Sequence, residues 1–215
     1  MPEFRSDRSP KQNVIVAVIT LMCFTMLFAG CGIFGSRSVI DESNIELRDI
    51  REPDVVFVPT PQEVVDRMLE LAEVKKKDLV YDLGCGDGRI VVTAAKKYGC
   101  KGVGYDINPE RVIDSLRNVK NNKVERLVRI EQRDVFTLDL SEASVITLYL
   151  LPSLNVKLIP QLKKLKPGTR IVSHDFDMRG VTPDKVITFD KDSGYGSHTI
   201  YLWTTPLKMD DSERL

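Results

Sequence analysis

Hydrophobic and polar positions divide the chain into an apolar leader, a polar stretch and a long region of short alternating elements. Val14 to Phe34 carries no charge, and Arg5, Arg8 and Lys11 precede it. As a helix this stretch would span roughly 31 Å, enough for a bilayer core. Residues 36–55 read as a polar tether. After it, Val64, Val65, Met68, Leu69, Leu71 and Ala72 recur at helical spacing. Thr60 can cap that helix, Pro61 suits its first position and Glu63 completes a capping box.

Leu79–Leu83, Gly102–Asp106, Leu127–Glu131 and Thr169–Ser173 read as short strands, and Val145–Leu151, nearly all apolar, as a strand covered on both faces. Helical patterns lie between them. Ile90–Lys97 is one. A second begins at Asn108-Pro109 and carries Val112, Ile113 and Leu116 on one face. A third runs from Ser153 to Leu165 and stops at Lys166-Pro167-Gly168. Val186–Phe189 and Thr199–Thr204 predict a closing antiparallel pair. Strand and helix alternation predicts an α/β fold, a doubly wound and mostly parallel sheet. The links after strands three and five are short, so one or two crossover helices are reduced or absent. The expected organisation is a leader or anchor over 1–35, a tether over 36–55, a domain over 56–206 and a polar tail over 207–215.

Composition narrows the class. Apolar residues make up 42% and charged residues 29%, values normal for a folded core. The 31 basic and 31 acidic side chains cancel, so no global basic field recruits nucleic acid, and none is expected as a partner. Lys75-Lys76-Lys77 reads as a solvated helix end. The 4 cysteines contain no C-x-x-C pair, and Cys85 and Cys100 make no disulfide framework.

Candidate chemistry gathers after the first strand of the domain. Ligands of open α/β sheets bind beyond the carboxyl ends of the strands. Asp82-Leu83-Gly84-Cys85-Gly86-Asp87-Gly88 leads from that strand into a helix whose first N–H groups face the same region. The dinucleotide fingerprint is G-x-G-x-x-G. Here Arg89 stands at its third glycine, Gly88 comes one residue early, and Asp82 precedes Gly84 by two. That pattern suits a ligand presenting an ammonium and a carboxylate in place of a pyrophosphate. Asp82 would engage the ammonium directly or through water. Asp106 ends the second strand, where an acid can accept both hydroxyls of a ribose. Ile107 would pack on an adenine, Asp134 would accept from its amino group, and Val135 would lie beside the ring. Cys85 reads as a small packing residue.

At these residues the sequence resembles class I S-adenosylmethionine-dependent (SAM-dependent) methyltransferases, over roughly Val56 to Pro206. Val58-Pro59-Thr60-Pro61, Asp82 to Arg89, Gly104-Tyr105-Asp106-Ile107-Asn108-Pro109 and Leu148-Tyr149-Leu150-Leu151-Pro152 look like a small family of protein-lysine methyltransferases. Its mitochondrial members modify the adenine nucleotide translocase and the c-subunit of ATP synthase, and carry an apolar segment ahead of a compact domain. The resemblance implies a Rossmann-like, seven-stranded methyltransferase sheet with SAM as cofactor. It implies that Val58 to Thr60, with Pro59 and Thr60 as contacts, close over the cofactor. Tyr149 would face the acceptor. Many amine and base methyltransferases end strand four in Asn/Asp-Pro-Pro-Tyr; Tyr149-Leu150-Leu151-Pro152 counts against nucleobase or glutamine amide methylation.

A lysine acceptor must lose a proton, and Tyr149, His174 and Asp175 are the candidates to take it, with Tyr149 and His174 as the catalytic pair. His198 and Trp203 read as structural. The expected partner is a protein substrate, membrane-embedded in one version. A small-molecule or lipid methyltransferase and a non-catalytic SAM-binding module are the alternatives. Two readings of the leader remain: an uncleaved anchor over residues 14–34, or a secretory signal in which Leu27-Phe28-Ala29-Gly30-Cys31 resembles a lipoprotein signal with Cys31 lipidated. Both attach the chain to a membrane, and the basic flank places the domain outside. That conflicts with a cofactor made in the cytosol; a start codon placed too far upstream would also create such a leader.

Overall fold

A computed structural model of the chain describes residues 52–190 and 196–210. The uncharged stretch 14–34, Cys31, most of the tether and the last five residues of the tail lie outside them. Helix α1 spans Gln62–Leu71 and strand β1 Leu79–Leu83; α2 spans Arg89–Tyr98 and β2 Lys101–Asp106. Helix α3 covers Pro109–Asn121, β3 Val128–Gln132, and a single 3-10 turn Val135–Thr137. Then come β4 Val145–Leu148, α4 Pro152–Leu162, β5 Arg170–His174, β6 Val181–Thr182, β7 Lys185–Asp190, β8 Ser197–Thr204 and β9 Lys208–Met209.

Seven strands form one sheet in the order β3-β2-β1-β4-β5-β8-β7, and β6 and β9 form a separate pair. The first five of the seven are parallel, whereas β8 and β7 run antiparallel to their neighbours. Strand order reverses between β1 and β4, which sets the ligand crevice beside β1. The link from β3 to β4 holds only the 3-10 turn, and no α-helix joins β5 to the hairpin, as the short connections predict.

Period-two alternation sends successive strand residues to opposite faces. Val80, Val145 and Val172 join α1, α2 and Val119 of α3 in one buried cluster. Tyr81, Ile146 and Ile171 join Leu158 and Leu162 of α4 in the other. All four residues of β4 are buried, so this strand reads as apolar throughout. Its boundary is corrected: β4 ends at Leu148, three residues before the predicted Leu151, because Tyr149 to Leu151 leave the sheet to open α4.

The start of α1 also differs from expectation. Pro61, not Thr60, is its N-cap, and no side chain caps it. Thr60 is drawn inward instead: its carbonyl accepts from Arg89 Nη1 at 2.8 Å and its hydroxyl faces His174 Nδ1 at 3.4 Å. The α3 cap is as predicted, with the Asn108 side chain accepting from the Glu110 N–H. At the amino ends of the strands, away from the crevice, Arg170 donates to Asp78 at 2.6 Å and Ser144 donates to the same carboxyl oxygen at 2.9 Å. Among the described residues no helix is long and apolar enough to cross a membrane.

Candidate active site

The β1–α2 loop begins where strand register sets Asp82 between two neighbours. Asp82 pairs with Gly104 of β2 on one side and Thr147 of β4 on the other. The Thr147 hydroxyl donates to Asp82 Oδ1 at 2.6 Å. Asp82 Oδ2 is buried and has no hydrogen-bond partner among the described residues. Burial pushes this carboxyl up to about 7; the Thr147 bond opposes the shift, and the charges of Asp106 and Asp87 add to it. A buried, half-satisfied carboxylate is costly and fits an incoming cation.

Asp106 stands at the end of β2 and turns its two oxygens to the loops. The Gly86 N–H donates to Oδ2 at 2.8 Å and the Asn108 N–H donates to Oδ1 at 2.9 Å. Burial raises this carboxyl, and the backbone N–H bonds work against the rise. Each oxygen keeps acceptor capacity for a hydroxyl. Asp87 is different: burial pushes it up, but the bonds from Arg89 outweigh that and hold it below the usual carboxylate value.

Gly86 has φ +57°, and a Cβ there would clash with the edge of the Phe57 ring. Glycine therefore serves both the turn and the close approach of the strap before α1. Arg111 of α3 stacks its guanidinium 5.0 Å from the Phe57 ring centre. Arg89 holds the other end of the strap, bound to Asp87 and to the Thr60 carbonyl. Gly88 has a different job from the one expected: a Cβ there would press on Ser115 of α3, so its smallness serves helix packing.

The resulting cleft has about 920 Å³ of space between protein atoms, open mouth included. Of the residues the sequence singled out, Asp82, Gly84, Asp106, Ile107, Asp134, Val135, Thr60 and Tyr149 line it. Pro59, Gly86, Gly88 and His174 do not. Pro59 is exposed, Phe57 covers Gly86, and His174 is fully buried behind Tyr149, with ring centres 4.0 Å apart. Asp134 uses one carboxyl oxygen to cap the 3-10 turn, accepting from the Phe136 N–H at 3.0 Å. Burial, with the charge of Asp175 added, raises Tyr149, so it stands as a neutral phenol. Cys85 is a packing residue: burial raises its thiol well above the ordinary value, so it carries no thiolate.

Sequence reasoning missed Pro53 to Phe57 as cleft wall, three of them within the stretch read as tether. The available signal was Val55-Val56-Phe57-Val58, an apolar run with neither helical length nor a strand partner.

The sheet order, the orphaned Asp82 oxygen and the Asp106 acceptor define a class I SAM-dependent methyltransferase. The ANTKMT methyltransferase domain matches residues 82–185. A protein-lysine N-methyltransferase of Saccharolobus islandicus is 50% identical over 153 residues, 70% of this chain and 94% of that protein. The human lysine N-methyltransferase of the ATP synthase c-subunit is 28% identical over 155 residues, 72% of this chain and 63% of that protein. A crystal structure described as an RNA methyltransferase from Salinibacter ruber, in complex with S-adenosyl-L-homocysteine, superposes with a TM-score of 0.65 at 51% identity. It spans 72% of this chain and 97% of that one. The chain belongs to this family of small SAM-dependent methyltransferases, the one that contains the protein-lysine N-methyltransferases, those of the ATP synthase c-subunit among them.

Proposed function

We propose that the enzyme transfers the methyl group to the side-chain nitrogen of a protein lysine. The carrying observation is the acceptor side of the cleft, where Tyr149 stands as a neutral phenol with Leu150 and Leu154 beside it. Two relatives of about half-identical sequence carry different acceptors in their names, protein lysine and RNA. Lysine is favoured by the rim. Val56 is 89% exposed, Val58 58% and Leu151 45%, an apolar border unlike the basic one that a phosphate backbone needs. The two arginines that line the cleft are engaged, Arg89 with Asp87 and Arg111 with Asp114.

Bound SAM supplies an electrophilic methyl group on a sulfonium, and the protein supplies position and acceptor state. Asp82 takes the ammonium of the cofactor's amino-acid end, Asp106 the ribose hydroxyls, and Ile107 and Val135 the flanks of the adenine. Phe57 and Thr60 exclude water from above. Lysine has a reference pKa of about 10.4, so presenting it neutral at pH 7 costs roughly 4 to 5 kcal/mol. Tyr149 accepts a hydrogen bond from the amine and orients its lone pair, while the apolar rim weakens its hold on the proton. Membrane attachment through residues 14–34 or a lipidated Cys31 is the companion proposal; it rests on the leader's composition and would bring the apolar rim near membrane proteins. The test is methyl-labelled SAM offered with proteome, RNA and lipid extract from the same cells. Label on lysine Nε, located by mass spectrometry, supports the proposal; label confined to RNA or lipid overturns it.

A further inference from the structure

The chain has 2 histidines, and the fold brings both to one point. His174 ends β5 and His198 lies near the start of β8, the antiparallel neighbour of β5. His174 Nε2 is 3.0 Å from His198 Nδ1. Asp175 Oδ2 is 3.0 Å from His174 Nε2 and 3.4 Å from His198 Nδ1. Three atoms with metal-ligand chemistry thus form a nearly equilateral triangle beside the cleft's back wall.

We propose that His174, Asp175 and His198 bind a divalent transition-metal ion of the zinc or cobalt kind. Those separations place the three atoms on a circle of about 1.8 Å radius, so a point roughly 2.0–2.1 Å from each, the Zn–N and Zn–O bond length, lies just off their plane. Two imidazoles and one carboxylate on one face of an ion leave its other positions to solvent or a further ligand.

Three features show the ligands held in place. The Thr199 N–H donates to Asp175 Oδ1 at 2.8 Å, which leaves Oδ2 to face the histidines. The Thr60 hydroxyl sits 3.4 Å from His174 Nδ1, so the ring's other nitrogen is the one turned to the triangle. Outer partners of this kind fix the orientation of metal-ligating side chains. Asp175 itself has φ +57°, a left-handed conformation that a non-glycine residue adopts at some cost. That turn, closed by the Asp175 N–H donating to the Thr199 carbonyl at 2.7 Å, aims its carboxylate back across the sheet edge.

The ion would clip the end of β5 to β8 directly behind Tyr149, whose ring lies on His174. It is a site distinct from the SAM cradle, since none of its three ligands lines the cleft.

The experiment titrates the full chain, stripped with chelator, with Co²⁺ and then Zn²⁺. Calorimetry gives stoichiometry, and the visible Co²⁺ spectrum gives ligand geometry. The expected result is one equivalent bound, with affinity reduced at least tenfold in His198→Ala and in Asp175→Asn. Cys23→Ser/Cys31→Ser should bind as wild type, which separates this site from the leader thiols. Should His198→Ala fail to fold by circular dichroism, His198→Gln supplies the same comparison. No heat and no visible band at millimolar ion would overturn the proposal and leave a hydrogen-bonded histidine pair. Equal binding by wild type and both ligand variants would overturn it as well.

Discussion

Thr147 donates a 2.6 Å hydrogen bond to one oxygen of Asp82 and leaves the other oxygen buried without a partner among the described residues. Register makes the contact: the two residues are direct neighbours across β1 and β4. The arrangement raises the carboxyl to about 7, mainly through burial, and holds an acceptor ready for a cation.

Cofactor binding should therefore release a proton. The free protein holds Asp82 largely protonated near pH 6, and a cofactor ammonium favours the carboxylate. Calorimetry of SAM binding at about pH 6, in buffers of different ionisation enthalpy, should report release of close to one proton, and none in Asp82→Asn. Heats independent of buffer in the wild type would contradict the assignment. The same shift has a stability consequence. The folded value lies above the unfolded value near 3.8, so the folded state binds the extra proton between about pH 4 and 7. The contribution of Asp82 to stability then falls as pH rises through that window. Thermal denaturation should show this fall in the wild type and a flatter profile in Asp82→Asn.

Gly86 and Phe57 should behave as a coupled pair. Alanine at Gly86 meets the Phe57 ring and also carries the strain of φ +57°. Gly86→Ala should lose about 1–3 kcal/mol of stability and weaken SAM binding at least tenfold. In the double variant with Phe57→Ala the clash is gone, so the two single losses should sum to more than the loss observed. Strict additivity in denaturant melts would show that the strap does not rest on the loop.

Tyr149→Phe removes the phenol oxygen and keeps the ring packed against His174. Turnover with a lysine-containing acceptor should fall by about 10²-fold while SAM affinity stays within twofold. An unchanged turnover would remove Tyr149 from the acceptor site.

Asp78 tests the opposite end of the sheet. Burial pushes its carboxyl up, but hydrogen bonds from Arg170, the Lys75 N–H and Ser144 outweigh that and hold it down. Asp78→Ala leaves Arg170 without its carboxylate and should cost about 3 kcal/mol, read from urea midpoints. SAM affinity of the folded fraction should not move, because the pair lies at the amino ends of the strands.

Most of the fold was legible because parallel strands buried on both faces are short apolar runs, and β1, β2 and β5 stand within a residue or so of the positions the pattern predicts. The exceptions are local. Tyr149-Leu150-Leu151 is apolar enough to extend β4, yet those residues leave the sheet for the cleft and the start of α4. Thr60 has the right residue type for a cap, but a tertiary contact with His174 and Arg89 takes it. Within the site, Asp82 and Asp106 were legible from spacing because strand ends place them. Phe57 was not, since its role depends on a strap laid across a glycine 29 positions later in the chain. The convergence of His174 and His198 likewise depends on antiparallel register between β5 and β8, which periodicity does not encode.

In the proposed reading, Asp82 and Asp106 are the two residues that hold the cofactor, and both line the cleft. SAM affinity of the full chain, measured by calorimetry for wild type against Asp106→Ala, tests this most directly, with circular dichroism confirming that the variant is folded. Wild type should bind one SAM, and the substitution should weaken binding at least tenfold. Equal affinity in a folded Asp106→Ala would contradict the ribose assignment and the cradle with it.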